Sequence, residues 1–294
     1  MMIGFTIPKW LVALCCFTPL LAGSFKADTM AILSEQQNTA PKREVKWNDL
    51  DHPSIPGVTH GILHSASMDR DVGYNVALPP GYDDSNRRYP VVYFLHGAGG
   101  TESSDAGGFS ALVQKEIAAK RIPPVICVFP NGGMSGYRDH PETKVMVETM
   151  LIQELMPLIE QKYRTIASAE GRAICGFSMG GGGAMRLAVK YPNLFSAGAS
   201  WAASFGRSND STSAAALVKE NAEKIRGHVR LLCIVGDKDF TQGSHPAFLD
   251  ALKDAKLPVE YRVLPGVDHN LGAYYEQTGM ELVDFVTAGF TDVK

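Results

Sequence analysis

Hydrophobic positions fall into two kinds of pattern that alternate along most of the chain. Continuous apolar runs occupy "PVVYFLHG" (90–97), "PVICVFP" (124–130), "RAICGF" (172–177), "FSAGASWA" (195–202), "VRLLCIVG" (229–236) and "VEYRVLPG" (259–266). Runs of this length suit parallel strands buried on both faces. Between them, helical spacing appears at 108–120, 144–163, 179–190, 212–225, 245–255 and 272–288. The clearest case is "VMVETMLIQELMPLIEQKY", an apolar stripe opposite acidic residues, with Pro157 as the point where it would kink. Ahead of these, "VTHGILHSASM" and "DVGYNVALPPGY" alternate as two antiparallel strands, the second stopped by Pro79-Pro80-Gly81. The alternation predicts an α/β fold, an open and mostly parallel sheet with helices on both faces. There is no internal repeat and no shift of composition, so residues 57–294 read as a single domain.

The first residues follow a different pattern. Lys9 precedes an apolar run from Trp10 to Leu21 and then small residues, the layout of a secretory signal peptide over 1–24 with an A-x-S cleavage site at Ala22 and Ser24. That run is broken by Pro19 and is short of the roughly 20 residues a membrane span needs. Export to the periplasm or the medium, with no stable membrane anchor, is the expectation. Residues 25–56 are polar, carry Pro41, Pro53 and Pro56, and read as a mobile leader or an extended strap. Export would leave Cys127, Cys175 and Cys233, each inside an apolar run. They read as buried thiols packing as small hydrophobes. No Cys/His cluster suggests zinc, and no EF-hand spacing suggests calcium. With 45% hydrophobic residues the chain can build a large core, and a net charge of −3 gives no case for a nucleic-acid partner.

Chemistry concentrates at "ICGFSMGGGG", where four glycines follow a serine and a methionine. Ser178 stands in Gly176-Phe177-Ser178-Met179-Gly180, a G-x-S-x-G between a buried strand and a helix. A nucleophile elbow forces such a serine into a strained turn whose flanks must be small, which accounts for Gly176 and Gly180. Gly181 to Gly183 would let the helix approach the sheet. A serine hydroxyl is a weak nucleophile and needs a base held by a third group. Of the downstream histidines, His228 opens a strand and His245 opens a helix, whereas His269 lies in "LPGVDHNLG" past the last strand and is the candidate base. The acid belongs on the loop after the preceding strand, where "CIVGDKDF" offers Asp237 and Asp239. The G-x-x-D spacing from Gly236 favours Asp239, with Asp237 capping the loop; Asp268 is read as structural. Acyl transfer also needs donors for the oxyanion. Met179 would give one backbone N–H and the "HGAGG" turn another, from Ala98 or its neighbour Gly97.

These residues resemble the esterase D-like branch of the α/β-hydrolases, which includes family-one carbohydrate esterases (feruloyl and acetylxylan esterases), S-formylglutathione hydrolases, siderophore esterases and mycolyltransferases. The resemblance rests on "YPVVYFLHGAGG", "VFPNGG", "CGFSMGG", "GDKDF" and "GVDHN", spread from about residue 72 to the C-terminus. It implies an α/β-hydrolase fold, a Ser178–His269–Asp239 triad, and ester hydrolysis without a cofactor. Because of the export signal, the feruloyl and acetylxylan esterases fit better than the cytosolic thioesterases. Other esters, acyl transfer, or a secreted binding protein built on the same fold are the alternatives. "NGGMSGYRDHPETK" would then border the substrate pocket, with Tyr137, Asp139 and His140 as contacts. Trp201, just past a strand end, is either an aromatic platform for substrate or ordinary core.

Overall fold

The apolar runs become strands of one sheet, and the spacing of Ala, Leu and Val between them places a helix after most of them. The computed structural model describes residues 44–206 and 210–290. Its strands are β1 (Val58–Ser65), β2 (Arg70–Ala77), β3 (Val91–Leu95), β4 (Ile126–Pro130), β5 (Arg172–Phe177), β6 (Ala197–Trp201), β7 (Arg230–Gly236) and β8 (Glu260–Leu264). They pair in the order β1-β2-β4-β3-β5-β6-β7-β8. Within this sheet only β1 with β2 and β2 with β4 run antiparallel and the other pairs are parallel; a separate short antiparallel pair joins Asp139–His140 to Val145–Met146. This is the α/β-hydrolase fold.

The helices are α1 (Ala106–Ala118), α2 (Val147–Thr149, Met150–Leu155 and Met156–Lys162 in succession), α3 (Met179–Lys190), α4 (Ala214–Ile225), α5 (Pro246–Asp254) and α6 (Leu271–Thr287). They divide the core in two across the sheet. Helices α1 and α6 bury Phe109, Val113, Leu282 and Val286 against Phe94, Cys175 and Trp201 on one face. On the other, α2 to α5 bury Leu151, Met185, Leu187, Val218 and Leu252 against Tyr93, Ile174 and Leu231. Strand residues alternate between these two cores, which is why the central runs have no polar break.

Two details depart from the sequence pattern. Residues 259–266 were expected to form a strand buried on both faces, but β8 is an edge strand with exposed Tyr261 and Val263, because it pairs only with β7. In α2 the irregularity takes the form of a π-helical stretch at Met150–Leu155, just before Pro157. Proline lacks an N–H and its ring crowds the carbonyl four residues back, so the wider turn falls where that crowding would act. Cys127, Cys175 and Cys233 lie on β4, β5 and β7, buried and unpaired. Burial pushes the Cys127 and Cys233 thiols up to about 12, so they remain protonated packing groups.

A buried carboxyl lies behind the sheet. Asp105 precedes α1, and its Oδ1 has no hydrogen-bond partner; Tyr275 Oη beside it and Trp201 Nε1 also lack one. Burial pushes the Asp105 pKa up to about 6, against a smaller opposing effect of Tyr275. The fold therefore favours the protonated acid, and stability falls as pH rises from about 4 through 6. Asp105→Asn is expected to raise stability at pH 7 by on the order of 2 kcal/mol and to change little at pH 4, as thermal melts at the two values would read.

Candidate active site

Between the end of β5 and the start of α3 the chain must turn within one residue. That residue is Ser178, with φ 56° and ψ −117°. Such a conformation costs a non-glycine residue roughly 1–3 kcal/mol and persists only when its surroundings impose it. Here the Ser178 N–H donates to Trp201 O at 2.9 Å, and Ser178 O accepts from Ser204 N at 2.9 Å and from Gly182 N at 3.0 Å. The close approach explains the glycines. A Cβ on Gly180 would lie 2.0 Å from Leu95 O, and one on Gly182 would lie 2.0 Å from Ser204 O. Helix α3 is thus pressed against two backbone segments at once, and its N-terminus points at Ser178.

The loops after β7 and β8 bring the other two groups to the serine. His269 Nε2 accepts from Ser178 Oγ at 2.9 Å, and its Nδ1–H faces Asp239 Oδ1 and Oδ2 at 3.0 and 2.9 Å. Asp239 is held in turn. Thr241 donates to Oδ1 from its N–H (2.8 Å) and its hydroxyl (2.7 Å), and Tyr274 Oη–H donates to Oδ2 (2.8 Å). Burial alone would raise the Asp239 pKa, but the bonds from Thr241, Tyr274 and His269 together hold it below the usual carboxylate range. A depressed pKa stabilises the fold above the unfolded value of about 4, and that stabilisation is lost as pH falls through the folded value. Asp239→Asn should therefore melt below the wild type at neutral pH, with the gap closing as pH drops below about 4.

Of the alternatives, Asp237 is exposed and accepts from Gly266 N at 2.7 Å, a loop cap. Asp268 and His228 are exposed. His245 is fully buried at the start of α5, where its Nε2–H donates to Ala203 O at 3.0 Å.

The turn after β3 is tied down by a second histidine. His96 is buried; its Nδ1–H donates to Gly97 O (2.7 Å) and its Nε2 accepts from Gly132 N (2.9 Å). Burial lowers its pKa, consistent with this neutral, doubly bonded ring. Gly99 N–H donates to Met134 Sδ at 3.0 Å, so the turns at 97–100 and 131–134 meet twice. Behind them, the buried Glu102 carboxylate accepts from Asp49 N (2.6 Å), His60 Nε2 (2.9 Å) and Asn131 Nδ2 (2.6 Å). Residues 45–56 carry no helix or strand. They cross this region, with Trp47 O accepting from Gly73 N (2.8 Å) and Lys46 O from Asn131 Nδ2 (2.9 Å). Residues 1–43, including the signal segment and Pro41, lie outside the described residues.

The expected substrate contacts divide. Tyr137 is fully buried under Gly132 and Gly183, and its hydroxyl donates to His96 O at 3.3 Å, so it supports the turn and offers no surface to a ligand. Trp201 is also fully buried, packed on Tyr275 at 4.8 Å, and of its two readings the core one describes it. Asp139 accepts from Thr149 N (3.0 Å) and Oγ1 (2.6 Å) and fixes the start of α2. His140 does border a groove of about 400 Å³ that Met134, Arg138, Met179, Arg186 and Phe205 also line. A second groove of about 500 Å³ lies across Phe205, along Phe240, Gly243 and Pro246. Phe240 is the residue the sequence reading passed over. It is 77% exposed and its ring lies 4.3 Å from that of His269, while Phe177 flanks the same imidazole at 4.7 Å. The only signal for it was an aromatic directly after Asp239.

The Esterase family model matches residues 65–285. The chain belongs to the Esterase family. It is 42% identical over 149 residues to an esterase of Mycobacterium tuberculosis, covering 49% of this chain and 32% of that protein. It is 29% identical over 230 residues to an endo-1,4-beta-xylanase/feruloyl esterase of Xylanibacter ruminicola, covering 75% of this chain and 30% of that protein. The chain thus spans about a third of the length of these relatives. Among solved structures, a ferulic acid esterase superposes with a TM-score of 0.72 at 28% identity, covering 80% of this chain and 98% of that one. The Esterase match takes in Ser178, Asp239 and His269 together with the turn at 97–100. It begins after the Glu102-bound segment at 45–60. Among the described residues of this Esterase member, no group of His, Cys, Asp or Glu could hold a metal ion, and no helix is long and apolar enough to cross a membrane.

Proposed function

We propose that the protein is a secreted serine esterase that releases feruloyl or acetyl groups from plant polysaccharide through an acyl-enzyme. The observation that carries the reading is the unbroken relay from Ser178 Oγ through His269 to Asp239, with each link at 2.9–3.0 Å. His269 Nε2 takes the Ser178 proton as Oγ attacks the ester carbonyl, and Asp239 holds the imidazole and balances the charge it gains. The same imidazole returns the proton to the departing alcohol. Water then attacks the acyl-enzyme by the reverse route.

The oxyanion is received by two backbone N–H groups. Met179 is the first residue of α3, so its N–H has no intrahelical acceptor. For the second donor, the Gly97 carbonyl is turned to His96 Nδ1–H and to Gly100 N–H. In a trans peptide the next N–H points the opposite way, which favours Ala98. His96 is then a positioning residue for that donor. Export rests on the N-terminal layout, and the plant substrate on the similarity to feruloyl esterases.

The test is product release by wild type and Ser178→Ala from methyl ferulate, acetylated xylan and a short-chain nitrophenyl ester, with fluorophosphonate labelling alongside. Serine-dependent release from either plant substrate, above the nitrophenyl rate, supports the reading. Activity on the nitrophenyl ester alone retains the mechanism and removes the polysaccharide assignment. A folded wild type that neither labels nor turns over any ester overturns both.

A further inference from the structure

The groove beside the nucleophile has a charged end that the ester chemistry does not use. Met179, Gly182, Gly183 and Arg186 follow one another at i, i+3, i+4 and i+7 along α3, so they share one face of the helix. That face leads from the serine to Arg186, about 12 Å further on at 1.5 Å per residue. Arg138 lines the groove at the same end.

Neither guanidinium is fully used by the protein. Arg186 is 2% exposed, and its bonds to Tyr137 O (2.8 Å) and Glu148 both leave from Nη2. Its buried Nε has no partner. Glu148 is already shared with Lys190 and the Tyr191 hydroxyl. Arg138 donates to Thr212 Oγ1 at 2.6 Å and lies 3.9 Å from Asp210. Burial, and after it the neighbouring Arg186 charge, pushes the Arg138 pKa down, with Asp210 and Glu148 opposing. Two half-spent cations in a protein of net charge −3 are no by-product of a basic surface. An anion between them would relieve their repulsion and take up unused donors, and a planar carboxylate matches the guanidinium fork.

We infer that Arg138 and Arg186 form a subsite for a carboxylate carried by the ester substrate, about 12 Å along α3 from Ser178. The inference rests on the esterase reading and narrows it to acidic esters. The carboxylate belongs either to the acyl chain, as in a half-ester of a dicarboxylic acid, or to the alcohol, as in an esterified uronic acid.

Two matched pairs separate these sources. One pair is a nitrophenyl half-ester of a medium-chain dicarboxylic acid and the same compound with its far carboxyl methylated. The other is acetylated glucuronic acid and acetylated glucose. The readout is the ratio of kcat/KM for the acidic over the neutral member, which does not depend on the fraction of folded enzyme. Wild type is expected to prefer the acidic member of one pair by roughly tenfold or more, since a hydrogen bond to a charged group contributes about 1.5–3 kcal/mol. Arg138→Gln should bring that ratio close to one, and Arg138→Lys, which keeps the charge without the fork, should fall between. Ratios near one for both pairs in the wild type, or a preference that Arg138→Gln leaves intact, overturn the subsite alone. Turnover of no ester at all overturns the esterase reading, and the subsite with it.

Discussion

Ser178→Ala is expected to lower kcat by roughly 10⁴- to 10⁶-fold while leaving the melting temperature near that of the wild type. In the proposed mechanism the loss is large because the hydroxyl is the atom that both bonds the substrate carbon and gives its proton to His269. What remains is the pair of oxyanion donors and the grooves, which act on attack by water. The fold should tolerate the change, since the conformation of residue 178 is imposed by backbone bonds to Trp201, Ser204 and Gly182, and none of them involves Oγ. Steady-state turnover of a nitrophenyl ester, read beside a thermal melt, checks both parts. Turnover within tenfold of wild type would remove Ser178 from the reaction.

Gly180→Ala should abolish activity by a different route. The new Cβ would lie 2.0 Å from Leu95 O and 2.4 Å from Leu95 C, both backbone atoms of a central strand with no room to yield. Either β3 or the start of α3 has to move. Overpacking a core typically costs about 1–3 kcal/mol, and a backbone clash this close belongs at or beyond the upper end. Any displacement of α3 also carries Ser178 and the Met179 N–H with it. The expected result is a melting temperature lowered by several degrees together with loss of fluorophosphonate labelling in the fraction that stays folded. A soluble variant that labels at the wild-type rate would show that α3 is not held as tightly as these contacts require.

The triad was legible in the sequence because each of its members follows a strand, and an open parallel sheet delivers the ends of its strands to one edge. Order pointed to Ser178 and His269, and the loop after the preceding strand offered Asp237 and Asp239, between which the spacing from Gly236 favoured Asp239. Burial could not be read in the same way. Tyr137, in the loop after β4, read as a pocket residue, and Trp201, the last residue of β6, read as either platform or core; yet Tyr137 lies buried under a neighbouring turn and Trp201 in the core between α1 and α6. An aromatic in a loop carries no mark of which side of that loop it faces. The supports of the site were invisible for a related reason. Thr241 and Tyr274 hold Asp239, and Glu102 joins Asp49, His60 and Asn131, through contacts between residues far apart in sequence. No local pattern encodes such contacts. The strand at 259–266 was overstated because hydrophobicity reports a residue's preference for burial, whereas its exposure at a sheet edge depends on a missing neighbour.

The Glu102 junction bears on where the working enzyme begins. Two of its three donors, Asp49 N and His60 Nε2, come before residue 65, where the family-wide match starts. A polypeptide trimmed to that boundary would retain Ser178, Asp239 and His269 and lose two of the donors to the buried Glu102 carboxyl behind the turn at 97–100. Its defect would read as a poor catalyst, although no reacting residue had been touched. For expression, for fusion to another module, or for grafting this fold onto a carrier, the segment from Lys46 to His60 therefore belongs with the catalytic domain.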